Sequence, residues 1–240
     1  MAGYSRRKVS GLLGSQLKTI GIVSMGIDHI GAILLPALRD SGIIDQGNLY
    51  VAAYFILRFI GRLAFPIFAF LLVEGFFHTR SMKKYLCRLG MFAILSEIPF
   101  DMAVCKEIAD FSMQNVFFTL FIGLLTMYYM KKWEKRTILR AVAAFSGIFL
   151  SWIIKADYGG CGIILVLMFY IFHQQKKEQM VSGAASMICM IAAKWEIGYL
   201  MALPLLYSYN GMQGKKKSYI GYWFYPVHLW ILAGLRQIVL

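Results

Sequence analysis

Three ionisable residues share one apolar stretch, LKTIGIVSMGIDHIGAILLPAL at 17–38: Lys18, Asp28 and His29. Eleven residues separate Lys18 from His29, which on a helix returns to within about 20° of the same face, about 16 Å further along the axis. Ionisable groups at hydrocarbon depth are costly and by default mark a functional site. His29 is the candidate base or nucleophile, because an imidazole takes a proton from an amine or hydroxyl, or takes an acyl group itself. Asp28 is the candidate to hold the imidazole tautomer or a substrate amine, although adjacent helix positions do not face each other. Lys18, at the basic end of the stretch, suits a phosphate. The competing reading is a neutral histidine satisfied in a core.

Other polar residues lie where the chain is otherwise apolar. Arg58 and Arg62 are four apart and share a face. They suit phosphates or a polarised carbonyl, which an arginine grips in bidentate fashion. Glu97 and Asp101 are also four apart, with Pro99 between them, and Glu74 lies near the end of the second apolar stretch. The structural alternative pairs the arginines with Asp28, Glu97 or Asp101 as buried ion pairs. His228, in WFYPVHLW, follows Tyr225 and Pro226, which read as the start of the last helix. Its aromatic neighbours read as an interfacial belt, and Glu74 and His228 as flanking one entrance. His78 and His173 read as interfacial. Asn115 reads as a helix N-cap. Asp157 and Tyr158, in a glycine-rich turn, are candidates to line an outer mouth, and Arg80 and Lys83 to assist Lys18 with phosphate.

The elements that must position these groups follow from composition. The 240 residues are 59% hydrophobic and only 15% charged, against about 25% charged in a soluble domain. The chain therefore reads as an all-α polytopic integral membrane protein in the cytoplasmic membrane. Nine stretches approach the roughly 20 residues of a crossing: 17–37, 50–77, 86–104, 115–130, 138–154, 160–173, 181–194, 197–209 and 224–239. The second is long, and Pro66 predicts a break near 62–66. Loops rich in Lys and Arg, such as 78–88, 131–140 and 215–217, alternate with neutral or acidic ones. That pattern predicts the N-terminus inside and the C-terminus outside. Residues 1–16 are then a short basic cytoplasmic segment, with 17–240 as a single membrane domain whose first span is retained. The formal net charge of +13 sits in short loops, which argues against a nucleic-acid partner; the bilayer is the partner it indicates. Cysteines 87, 105, 161 and 189 are scattered, with no metal-ligand spacing.

The chain resembles the TraX family, through LKTIGIVSMGIDHIGAILLP (17–36), the stretches 57–89 and 92–104, NVFFTLFIGLL (115–125), DYGGCGIILVLMFY (157–170) and WFYPVHLWIL (223–232). Founding members of that family acetylate the N-terminus of a conjugative pilin. The family is also distantly similar to integral membrane acyltransferases that carry Arg or Lys, ten residues, then His in the first span, a spacing that Lys18 and His29 fit. The resemblance implies acetyl transfer from cytoplasmic acetyl-CoA, without a metal, to an amine or hydroxyl on a pilin-like N-terminus or an envelope glycan. Two other classes compete. One is a proton-coupled transporter, which buried carboxylates suit but which lacks an internal repeat. The other is a non-catalytic subunit of a conjugation or secretion system, in which the buried charges only hold helices together.

Overall fold

Nine apolar stretches become nine helical rods among the residues that this computed structural model describes, 11–194, 196–214 and 220–240. Rods α1 (Gly14–Asp40) and α2 (Asn48–His78) are each long and apolar enough to cross a membrane. Rod α3 is Met82–Leu95, extended by Glu97–Phe100 and Asp101–Cys105. Then come α4 (Val116–Lys132), α5 (Thr137–Ile153), α6 (Gly159–Ile171), α7 (Lys176–Lys194), α8 (Ile197–Tyr207) and α9 (Ile220–Val239). Rods α4, α5, α6 and α8 fall short of the roughly 20 residues of a full crossing. The expected basic residues Arg6, Arg7, Lys8 and 215–217 lie outside the described residues.

Prolines set the bends, because each removes a backbone donor and crowds the carbonyl four residues earlier. In α2 the break falls at Arg62–Leu63, four and three residues before Pro66, within the expected 62–66. In α3 it falls at Ser96, just ahead of Pro99. In α1, Pro36 cannot donate to Ala32, and the turn before it widens to a π-helix, Ile30–Leu34, with the Leu35 N–H reaching the Ile30 carbonyl. Pro226 behaves differently from expectation: it lies inside α9, which starts at Ile220 rather than at Tyr225–Pro226. The missing donor is tolerated there within a continuous helix.

The second half of α2 is the central rod. Phe65, Ile67, Ala69, Phe70, Leu72, Val73 and Phe76 point in different directions around it and are all buried. Around it, α1 packs on α2, α4 on α5 and α6, and α9 on α1 and α3. Crossings are close where a glycine removes the side chain; a Cβ on Gly147 of α5 would come 2.1 Å from Thr126 Oγ1 of α4. Large apolar side chains remain exposed on the outside, among them Val23, Phe55, Ile94, Phe145, Trp152 and Val181. Hydrocarbon, unlike water, accepts such a surface.

The connections gather at two ends. At one, residues 12–15 pair with 208–213 (Leu12 N to Ser208 O, 2.8 Å; Gly14 N to Met212 O, 2.9 Å), and Lys176 Nζ donates to the Tyr209 carbonyl at 3.1 Å. At the other, Gln114 pairs with Lys155 and Asp157 through backbone bonds of 3.0 and 2.9 Å. The turn at 155–160 bends through Gly159, with φ +49, as expected, and also through Lys155, with φ 54.

Candidate functional site

His29 ends the regular α-helical part of α1, and the π-turn begins at the next residue; such turns are frequent at functional sites. Its Nδ1 lies 2.7 Å from Nε2 of His228 on α9. His228 Nδ1 in turn lies 2.7 Å from the Phe224 carbonyl oxygen. A carbonyl only accepts, so His228 Nδ1 carries the hydrogen, and Nε2 of the neutral ring accepts from His29 Nδ1–H. His29 Nε2 is thereby left as a bare lone pair. Phe224 stacks on His228 at 4.6 Å and 12°, and Tyr225 stands edge-on to His29 at 6.0 Å. His228 is therefore not beside Glu74 at an entrance. The early start of α9 carries it two helical turns inward, onto His29.

Asp28, turned away from His29 by the helical rotation between neighbours, faces α2. Its Oδ2 accepts from Arg58 Nη1 at 2.8 Å and from Arg62 Nη2. Both arginines also reach Glu196, ahead of α8: Arg58 Nη2 to Oε1 and Arg62 Nη1 to Oε2, each at 2.9 Å. Tyr199 donates to Glu196 Oε2 at 2.9 Å. Two cations and two anions thus close a neutral ring joining α1, α2 and α8. Arg62 is 5% exposed and Asp28 7%, and each charge would be costly alone. Asp28 fits here because Gly61 has no side chain; a Cβ there would lie 2.2 Å from Asp28 Oδ1. Burial opposes ionisation of Glu196, which lies in the connection between α7 and α8, but the guanidiniums of Arg62 and Arg58 outweigh it and hold its carboxyl below the usual glutamate range.

A cavity of about 1160 Å³ connects these groups. Its wall includes Gly14, Lys18, His78, Arg88 and Gln213 near one end, His29, Asp28, Arg58, Arg62 and Tyr225 in the middle, and Met113, Asp157 and Tyr158 towards the other. Lys18 and His29 share it, as their spacing predicts. Tyr158 stacks flat on Phe65, 3.6 Å between centroids. Arg80 and Lys83 are exposed and absent from the wall. Glu74 lines the wall and binds His173 Nε2 through Oε1 at 2.8 Å, while His78 Nδ1 bonds the Glu74 carbonyl oxygen at 2.7 Å; both histidines have partners beyond an interfacial role.

Glu97 and Asp101 do not meet the arginines. Glu97 Oε2 accepts from the Asn115 side-chain amide, and Asp101 Oδ2 from the Asp110 N–H at 3.0 Å. They fasten the loop ahead of α4. Asn115 caps α4 as expected, accepting from the Phe117 N–H at 3.0 Å, and also donates to the Ala93 carbonyl at 2.8 Å. Sequence reasoning left out Glu196, Tyr199 and Arg88. The only local signal for Glu196 is a carboxylate in a very short link between two apolar stretches.

A sequence profile for the family described as TraX protein matches residues 13–236. Among curated proteins, the chain is 30% identical over 247 residues to a protein of Dichelobacter nodosus named probable fimbrial assembly protein FimC, serogroup H1, covering 92% of this chain and 95% of that one. It is 24% identical over 163 residues to an uncharacterised protein of Rickettsia prowazekii (strain Madrid E), covering 67% of this chain and 56% of that one. No solved structure matches.

Proposed function

The chain belongs to the TraX family, and on that premise we propose that it is a multi-pass enzyme of the cytoplasmic membrane that moves an acetyl group from cytoplasmic acetyl-CoA to an amine or hydroxyl. The acceptor is a pilin-like N-terminus or another envelope molecule, in line with the fimbrial name of the Dichelobacter relative. In this reading the nine rods are crossings, with the N-terminus inside, the C-terminus outside and the end bearing Lys18 in the cytoplasm. The observation that carries it is the bare Nε2 of His29 in a cavity whose wall runs towards both ends of the bundle.

The residues suit such a donor. The cavity, at about 1160 Å³, is somewhat larger than the roughly 300–1,000 Å³ of ligand sites, and cations line one end of it. The Nε groups of Arg58 and Arg62 are buried donors with no acceptor among the described residues, and both arginines line the same cavity as His29. Bound acetyl-CoA supplies an activated acetyl thioester. His29 Nε2 takes the proton that the acceptor amine or hydroxyl gives up as its new bond to the acetyl carbon forms; the thioester C–S bond breaks, and the coenzyme A sulfur leaves as a thiol carrying that proton, returned by His29. His228 keeps the His29 ring oriented and its Nδ1–H satisfied, so that Nε2 is the nitrogen offered. The ring of Asp28, Arg58, Arg62 and Glu196 fixes α1 against α2, and so fixes the depth at which His29 stands. Tyr225 and Tyr158 narrow the route and exclude water. Arg58 and Arg62, with carboxylates on both sides, serve the centre of the site in this reading, and the phosphate role expected of them falls elsewhere.

The test uses purified protein in lipid nanodiscs with acetyl-labelled acetyl-CoA. Wild type transfers label to an envelope extract or slowly releases CoA, and His29→Ala loses that activity by about 10²–10⁴-fold. Wild type without transfer or release, or an unaffected His29→Ala, overturns the reading. The relative's assembly name favours one alternative, a non-catalytic docking subunit; it predicts that His29→Ala still supports assembly of a pilus.

A further inference from the structure

We propose that the cytoplasmic end of the cavity holds a phosphate seat formed by Lys18 and Arg88 around the ring of Tyr222. The inference rests on the acyl-CoA reading only for the source of the phosphate. Lys18 Nζ lies 5.6 Å from the centroid of the Tyr222 ring, and Arg88 Cζ lies 5.2 Å from the same centroid and 5.3 Å from that of Tyr85. All four side chains line the cavity. They come from α1, α3 and α9, so only the assembled bundle makes the seat. Gly221 leaves room for it, since a Cβ there would meet Lys18 Cε at 2.3 Å.

Two like charges held against one ring repel each other, and an anion between them turns that repulsion into attraction. A guanidinium presents paired N–H donors that match phosphate oxygens, and the ammonium adds a compact charge. Lys18 is about 16 Å along α1 from His29, so a phosphate bound here leaves the length of a flexible arm to bring a thioester to Nε2. Arg80 and Lys83, nearby in sequence, are exposed and off the wall, and have no part in the seat. The ligand chemistry is a phosphate ester or diphosphate. It arrives either on the nucleotide end of coenzyme A or on a phospholipid headgroup.

The probes are coenzyme A, adenosine 3′,5′-bisphosphate and pantetheine, titrated against full-length protein in phosphatidylcholine nanodiscs. Arg88→Gln and Lys18→Met each weaken coenzyme A and the bisphosphate about tenfold and leave pantetheine unchanged, while Arg88→Lys, which keeps the charge but not the paired donors, recovers only part of the affinity with an unaltered thermal midpoint. Equal bisphosphate affinity in wild type and both variants overturns the seat, as does a larger loss from Arg80→Gln combined with Lys83→Gln. Bisphosphate that fails to bind wild type also overturns it; acetyl transfer from acetyl-pantetheine, still lost in His29→Ala, then shows that the acyl-transfer reading stands without the seat. If phosphatidylglycerol displaces the bisphosphate from wild type but not from Arg88→Gln, the seat stands and its resident is a lipid headgroup.

Discussion

Replacing His228 tests the role proposed for His29 by removing the ring bonded to its Nδ1. His228→Ala removes the acceptor for His29 Nδ1–H, so the ring samples both tautomers and more orientations. We expect kcat to fall about tenfold, or about 1.4 kcal/mol in the barrier, with KM for acetyl-CoA unchanged. His228→Gln, whose amide oxygen accepts the same hydrogen, recovers part of the loss; steady-state kinetics on the three proteins checks this. At this scale the sequence was half legible. Lys18 and His29 announce a shared face by spacing, and Arg58 and Arg62 do the same. Their partners lie 199 and more than 130 positions away, at His228 and Glu196, and no local pattern ties such positions together.

Helix α2 is where packing and charge meet. A methyl at Gly61 collides with Asp28, so Gly61→Ala forces α1 off α2 and costs about 1–3 kcal/mol as an overpacked contact, read as a lower thermal midpoint in detergent. Glu196 gives a second, pH-dependent test. Its carboxyl is held below the ordinary glutamate value, so the stability it contributes is present above about pH 4.3 and is lost as the pH falls through the lowered value of the folded state. Glu196→Gln therefore narrows the gap between neutral and acid stability, measured by thermal midpoints at pH 7 and at pH 4 and below. The helices themselves were well marked, because long apolar runs and prolines act locally: the breaks at Arg62–Leu63 and Ser96 follow from Pro66 and Pro99. The start of α9 was not, since an aromatic run around a proline reads equally as a helix entrance and as a helix interior.

Across the whole molecule, the cavity wall running towards both ends predicts which positions meet water from each side. After replacement of Cys87, Cys105, Cys161 and Cys189, a cysteine at Ser15 reacts with an impermeant maleimide only from the cytoplasmic side, and one at Met113 only from the outside; labelling in sealed right-side-out and inverted vesicles checks both. Two positions labelled from the same side contradict the orientation. Composition and long apolar runs made the helical class with membrane-length rods legible; the shared cavity was not, because it exists only where α1, α2, α3, α4 and α9 converge. The pairing of residues 12–15 with 208–213 also bears on biogenesis. Helix α1 leaves the ribosome well before 208–213 and α9, so its end waits for those later segments, and His29 waits for His228. Closing so long a loop is slow. A chain whose synthesis stops before α9 therefore keeps Lys18 and Arg88 but lacks the ring that orients His29, and on the acetyl-transfer reading it is inactive.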